Sequence, residues 1–138
     1  MRHLFLKKLS IFLSSLLISG NAFATNTSTG TNALSSLTTG SRNTANGYES
    51  LYSNTSGSDN TAVGYQSLYY NTTGSYNTAV GRITLFSNTT GHDNTAVGSS
   101  ALVNNTSGYN NTSVGVDTMV SNTTGYSNTA IGEDSMMS

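Results

Sequence analysis

The 138-residue sequence has no cysteine, no proline and no tryptophan, and only 8% of it is charged. Without cysteine there is no disulfide framework of the kind small exported domains use, and no lipid-modified cysteine to tether the chain to a membrane. Beyond residue 24 there is no lysine. Arg42 and Arg82 stand against Glu49, Asp59, Asp93, Asp117, Glu133 and Asp134, a formal balance of −4. A surface of that sign does not attract phosphate, so nucleic acid is not expected as a partner. Long apolar runs are missing too. The stretch Leu9 to Ile18 covers ten residues, where a membrane-spanning helix needs roughly 20.

That short run is nevertheless informative. Arg2, His3, Lys7 and Lys8 precede it, and Ala22-Phe23-Ala24 follows it. A basic start, a short apolar centre and an A-x-A cleavage site make residues 1–24 a secretory signal peptide. Residues 25–138 are then the mature domain, exported and without a membrane span of their own.

The mature part is dominated by repetition. With Gly57 counted as position 1 of the phrase GSDNTAVGYQSLYYNTT, the Asn-Thr pair of positions 4 and 5 begins at residues 26, 43, 60, 77, 94, 111 and 128, a fixed interval of 17. Position 8 is glycine in every copy, as in Gly64, Gly81 and Gly98, and position 1 is glycine from Gly40 onward, as in Gly74. Position 7 is mostly Val (Val63, Val80, Val97), and position 12 is Leu or Met (Leu68, Leu85, Leu102). Position 6 is always Ala or Ser, Ala62 among them.

Seventeen residues are too few for a helix pair, and Asn, Thr, Ser and Gly are poor helix formers. Short strands of the Thr-Ala-Val and Ser-Leu-Tyr kind, separated by glycine turns, predict an all-β fold. It is a single-stranded parallel β-solenoid of about seven coils, one phrase per coil. Coils roughly 4.8 Å apart would form a rod about 30 to 35 Å long. Like residues then stack. Asn71 and Asn88 belong to a column able to form an amide ladder, and threonine columns including Thr61 can pair through hydroxyls. In the strand Asn60-Thr61-Ala62-Val63 and its copy at Asn77, the Val face is expected to line the coil, leaving the Ala face for a neighbouring subunit.

The phrases NTAVG at Asn60–Gly64, Asn77–Gly81 and Asn94–Gly98, NTSVG at Asn111–Gly115 and NTAIG at Asn128–Gly132 resemble the head repeats of YadA-type trimeric autotransporter adhesins. The resemblance spans the mature chain. It implies a left-handed parallel β-roll, a homotrimer, and display on a bacterial surface where such heads bind host or extracellular-matrix partners. Departures are a longer repeat than is usual for those heads and no recognisable heptad stalk or membrane-anchor barrel. The chain is therefore expected to be secreted, or held at the outer membrane only by another component. The 17-residue phrase is also similar to repeats of phage tail fibres and related bacterial fibre proteins.

Catalytic chemistry finds little to build on. His92 is the single histidine after the signal peptide and falls in the variable column at position 2. One His without Cys gives no metal set, so no metal or cofactor is expected. The Gly-Gly-x-Gly-x-Asp phrase of calcium solenoids and the G-x-S-x-G elbow of hydrolases are both absent, and the chain is expected not to be an enzyme. Asn54, Asn71, Asn88, Asn105 and Asn122 each open an N-glycosylation sequon, but a ladder column accounts for them better. The varying residues Tyr48, Tyr52, Asp59, Tyr65 and Tyr69 are the candidate recognition surface, tyrosine being favoured at interfaces. Attachment to a cell-surface or matrix macromolecule is the leading expectation. A structural fibre subunit assembling end to end is the alternative. An ice-binding solenoid is weaker, because positions 15 and 17 give Asn-x-Thr in place of Thr-x-Thr.

Overall fold

The computed structural model describes residues 25–137; the expected signal peptide lies outside them. Seven three-residue strands recur along the chain: β1 (Thr27–Thr29), β2 (Thr44–Asn46), β3 (Thr61–Val63), β4 (Thr78–Val80), β5 (Thr95–Val97), β6 (Thr112–Val114) and β7 (Thr129–Ile131). They form one parallel sheet in the order β1 to β7. Each residue pairs with its equivalent 17 further on, as Ala62 does with Ala79 and Val63 with Val80. The chain is thus an all-β solenoid of about six turns, with no helix among the described residues.

Each strand starts with β-branched Thr and stops at a glycine. Glycines of position 8 have φ between 115° and 144°, a region closed to residues with a Cβ. Closing the coil takes more than glycine. Positions 3, 10 and 12 are left-handed as well, shown by Asp59 (φ 59°), Gln66 (φ 53°) and Leu68 (φ 52°). For L-residues this costs roughly 1–2 kcal/mol each, and cross-coil hydrogen bonds offset it: Asp59 N–H donates to Ser41 O at 2.9 Å, Gln66 to Tyr48 O at 2.9 Å and Leu68 to Thr84 O at 3.0 Å. The expected Ser-Leu-Tyr strand is accordingly a turn. Its leucine still points inward, with Leu51, Leu68, Leu85 and Leu102 fully buried.

The strand faces the other way from the sequence expectation. Ala45, Ala62, Ala79 and Ala96 are buried, whereas Thr61 and Val63 of β3 are only partly covered. In β5 both Thr95 and Val97 are exposed. The Ala face lines the coil and the Thr/Val face points out. The interior is narrow, with the leucine column and two asparagine columns sharing it, so a methyl fits beneath the strand where an isopropyl would not. Because side chains alternate in a strand, one choice at Ala62 reverses the whole face.

Two asparagine ladders run through the core. At position 4, Asn60 Nδ2 donates to Asn43 Oδ1 at 3.1 Å and to Gly74 O at 2.8 Å, and its backbone N–H reaches Asn43 Oδ1 at 3.0 Å. At position 15, Asn71 Nδ2 donates to Asn54 Oδ1 at 2.9 Å and to Gly74 O at 3.0 Å. Both ladders therefore converge on one glycine carbonyl per coil. That convergence explains the glycines of position 1, which are not left-handed: a Cβ on Gly74 would lie 2.3 Å from Asn71 Oδ1 and 2.3 Å from Gly91 O. Among the described residues no buried side-chain nitrogen or oxygen lacks a partner. The position 16 threonines pair hydroxyl to backbone carbonyl of the next threonine in the column and not hydroxyl to hydroxyl, Thr72 Oγ1 donating to Thr89 O at 3.0 Å.

Candidate functional surface

Once the core is filled by Ala, Leu and Asn, the varied residues are left outside. The outward strand face carries the threonine column of position 5 on seven aligned strands and, at position 7, Val or Ile on β3 to β7, with Thr29 and Asn46 in β1 and β2. Val97 is 36% and Ile131 71% exposed. β-branched side chains hold fixed rotamers, so this face is stiff as well as regular.

The solenoid stacks aromatic residues because equal positions lie one above another. Tyr48 and Tyr65 at position 9 stack at 5.3 Å with planes 8° apart. Tyr52, Tyr69 and Phe86 at position 13 form a continuous ladder at 5.1 and 5.3 Å. Four of the five candidate recognition residues thus fall into two neighbouring ladders. Between them Glu49 accepts a hydrogen bond from Gln66 Nε2 at 2.8 Å. Its carboxylate also holds the Tyr48 phenol above the usual range, first through their hydrogen bond and then through its charge. The Tyr69 phenol is raised too, by desolvation first and then by the charge of Glu49.

Asp59, the fifth candidate, sits at position 3, before the strand, where the tyrosines follow it. It is engaged in a two-pronged ion pair: Arg42 Nε to Oδ1 at 2.6 Å and Nη2 to Oδ2 at 2.7 Å. This bond holds the Asp59 carboxyl below the usual carboxylate range and raises Arg42. A carboxylate so occupied is less available to a ligand than the sequence suggested.

Two features escaped the sequence reading. Tyr70, at position 14, stands nearly perpendicular to the rings of the second ladder, 84° from Tyr69 and 80° from Phe86. A third ladder joins His92, Tyr109 and Tyr126 at 5.1 Å spacings. Three successive aromatic rings in column 2 were its signal, hidden because that column begins with serine. His92 Nδ1 also lies 2.8 Å from Asp93 Oδ2 at an exposed corner.

No group of three His, Cys, Asp or Glu suited to a metal ion occurs among the described residues. A shallow depression of about 230 Å3 lies at the last coil among Met119, Asn122, Thr124 and Met136, and no ionisable side chain lines it. No described helix is long and apolar enough to cross a membrane. The sequon asparagines Asn54, Asn71, Asn88 and Asn105 are fully buried, so a sugar there is incompatible with the folded coil. Compared with known protein families, curated proteins and solved structures, the chain has no match.

Proposed function

We propose that this chain is a non-enzymatic, exported repeat rod of the adhesin-head type that attaches to cell-surface or matrix macromolecules. The observation that carries the reading is the in-register stacking of identical coils, which turns each variable position into a column of like groups at constant spacing. Contacts that are weak singly multiply along such a rod. The resemblance of the NTAVG phrases to adhesin-head repeats supports the same reading, and export follows from residues 1–24.

The proposed assembly is a homotrimer that meets through the outward Thr/Val face. On a narrow solenoid that face is the apolar surface a soluble monomer would leave open, and obligate interfaces are the more apolar ones. Binding of the purified protein to immobilised matrix proteins and to cells tests the function. Saturable binding supports it, and no binding to either overturns it.

Ice binding is a second reading, and the strand orientation favours it more than the sequence did. The outward face is Thr-x-Val on repeated strands (Thr61 and Val63, Thr78 and Val80), not the Asn-x-Thr of positions 15 and 17. It requires the face to stay uncovered. Thermal hysteresis in solution supports it; a trimer without hysteresis excludes it.

A further inference from the structure

Tyr70 is set differently from the stacked rings. Within a ladder, ring faces cover one another and mainly edges meet solvent. Tyr70 stands nearly perpendicular to both Tyr69 and Phe86, with centroids 4.7 and 5.1 Å away, so its plane runs along the ladder and not across it. Its column neighbours one coil above and below are Ser53 and Ser87, too small to stack on it. The residue remains 48% exposed. An aromatic ring packed against two others, half exposed and with few rotatable bonds, is a preorganised contact that loses little entropy on binding.

We infer that Tyr70 is a stacking platform for the C–H face of a neutral pyranose in a polysaccharide, flanked by the hydroxyls of Ser53 and Ser87. The inference rests on the proposal that the rod is a binding module, and it names the ligand class. A sugar ring has one apolar face and a rim of hydroxyls, which matches an aromatic face set among serines. A protein partner would call for a broader apolar patch around the anchor than this column offers. The ligand is neutral because no charged residue occupies column 14.

Native electrophoresis in gels containing a mixed-linkage β-glucan, dextran, galactomannan or, as acidic control, alginate provides the test. At least one neutral polysaccharide retards the protein. Tyr70→Ser weakens that retardation about tenfold, the loss of a single stacked ring. Its melting temperature falls by only a few degrees, from the lost contacts with Tyr69 and Phe86, and the fold is kept, since serine is the usual residue of this column. Tyr70→Phe retains binding. Retardation by alginate alone, by no polysaccharide at all, equal binding of Tyr70→Ser, or loss of binding in Tyr70→Phe would each overturn the platform. If the protein binds matrix or cells while every polysaccharide arm is negative, the platform fails and the attachment proposal stands.

Discussion

Asn71 touches three partners: its Nδ2 donates to Asn54 Oδ1 and Gly74 O, and its Oδ1 accepts from Asn88 Nδ2 at 2.8 Å. Asn71→Ala leaves Asn54 Oδ1 and one N–H of Asn88 without a partner in a buried position, while Gly74 O keeps Asn60 Nδ2 and Asn88 keeps Gly91 O. At about 1–3 kcal/mol per buried unsatisfied group, stability should fall by at least about 2 kcal/mol. The exposed Asn104→Ala should stay within about 0.5 kcal/mol, and urea midpoints compare the two. The glycines give a second contrast. Gly64 and Gly132 both have positive φ, but a Cβ on Gly64 would lie 2.3 Å from Gly81 O, whereas Gly132 has open space around it. Thermal melting should show Gly132→Ala losing about 1–3 kcal/mol from backbone strain alone. Gly64→Ala should fail to form a cooperative fold. Asp59 adds a pH signature. Its carboxyl is depressed in the fold by Arg42, so the pair contributes above the unfolded value, near 4, and that contribution disappears as pH falls through the folded value. Asp59→Asn should therefore lower the melting temperature slightly at pH 7 and not at all near pH 2. A difference that grows toward acid would refute the assignment.

The strand repeats its order in each coil, and its orientation follows from volume. Ala79 has no exposed surface, while Val80 of the same strand is half covered. Ala79→Leu forces added methyl groups against the leucine column and should cost at least about 1–3 kcal/mol. Val80→Ala should cost less than about 1 kcal/mol in the monomer. Equal costs, measured by denaturant unfolding, would mean the strand faces are misassigned. The leucine column and the position 15 asparagine ladder were legible in the sequence because a single residue type recurs at a fixed interval. The direction of the Thr-Ala-Val face was not. Alternation says that Thr61 and Val63 share a side, and leaves open which side is inside. Left-handed Leu68 was also illegible, because leucine has no preference for that conformation and adopts it only where the neighbouring coil receives its N–H.

At the scale of the molecule, repetition gives the chain both its fold and its surface. Each interior coil is templated by the coils on either side, so stability is shared between neighbours and not held in one centre. The outward Thr/Val face is where assembly is expected. Substituting Lys at Val80 and Val97 leaves the core untouched and places charge in the proposed contact. Light scattering should then report a trimeric mass for the wild type and a monomeric mass for the double variant, with β-sheet circular dichroism retained in both. A monomeric wild type would remove the trimer. The recognition columns were visible only in part: Tyr48, Tyr52, Tyr65 and Tyr69 stood out by residue type, while Tyr70 and the His92 ladder gain meaning from ring orientation and stacking.

The sequence by itself determined that the chain is a β-solenoid, because a 17-residue period with two glycines, one leucine and recurrent asparagine fits coils that stack like on like and fits no helical repeat. It also determined the register, since a shift of even one residue would misalign every column. Only the tertiary structure decided which strand face is inside, that two amide ladders meet on a shared glycine carbonyl, and that Asp59 is tied to Arg42. Those outcomes depend on the width of the closed coil and on contacts between residues 17 apart, neither of which a linear pattern of residue types contains.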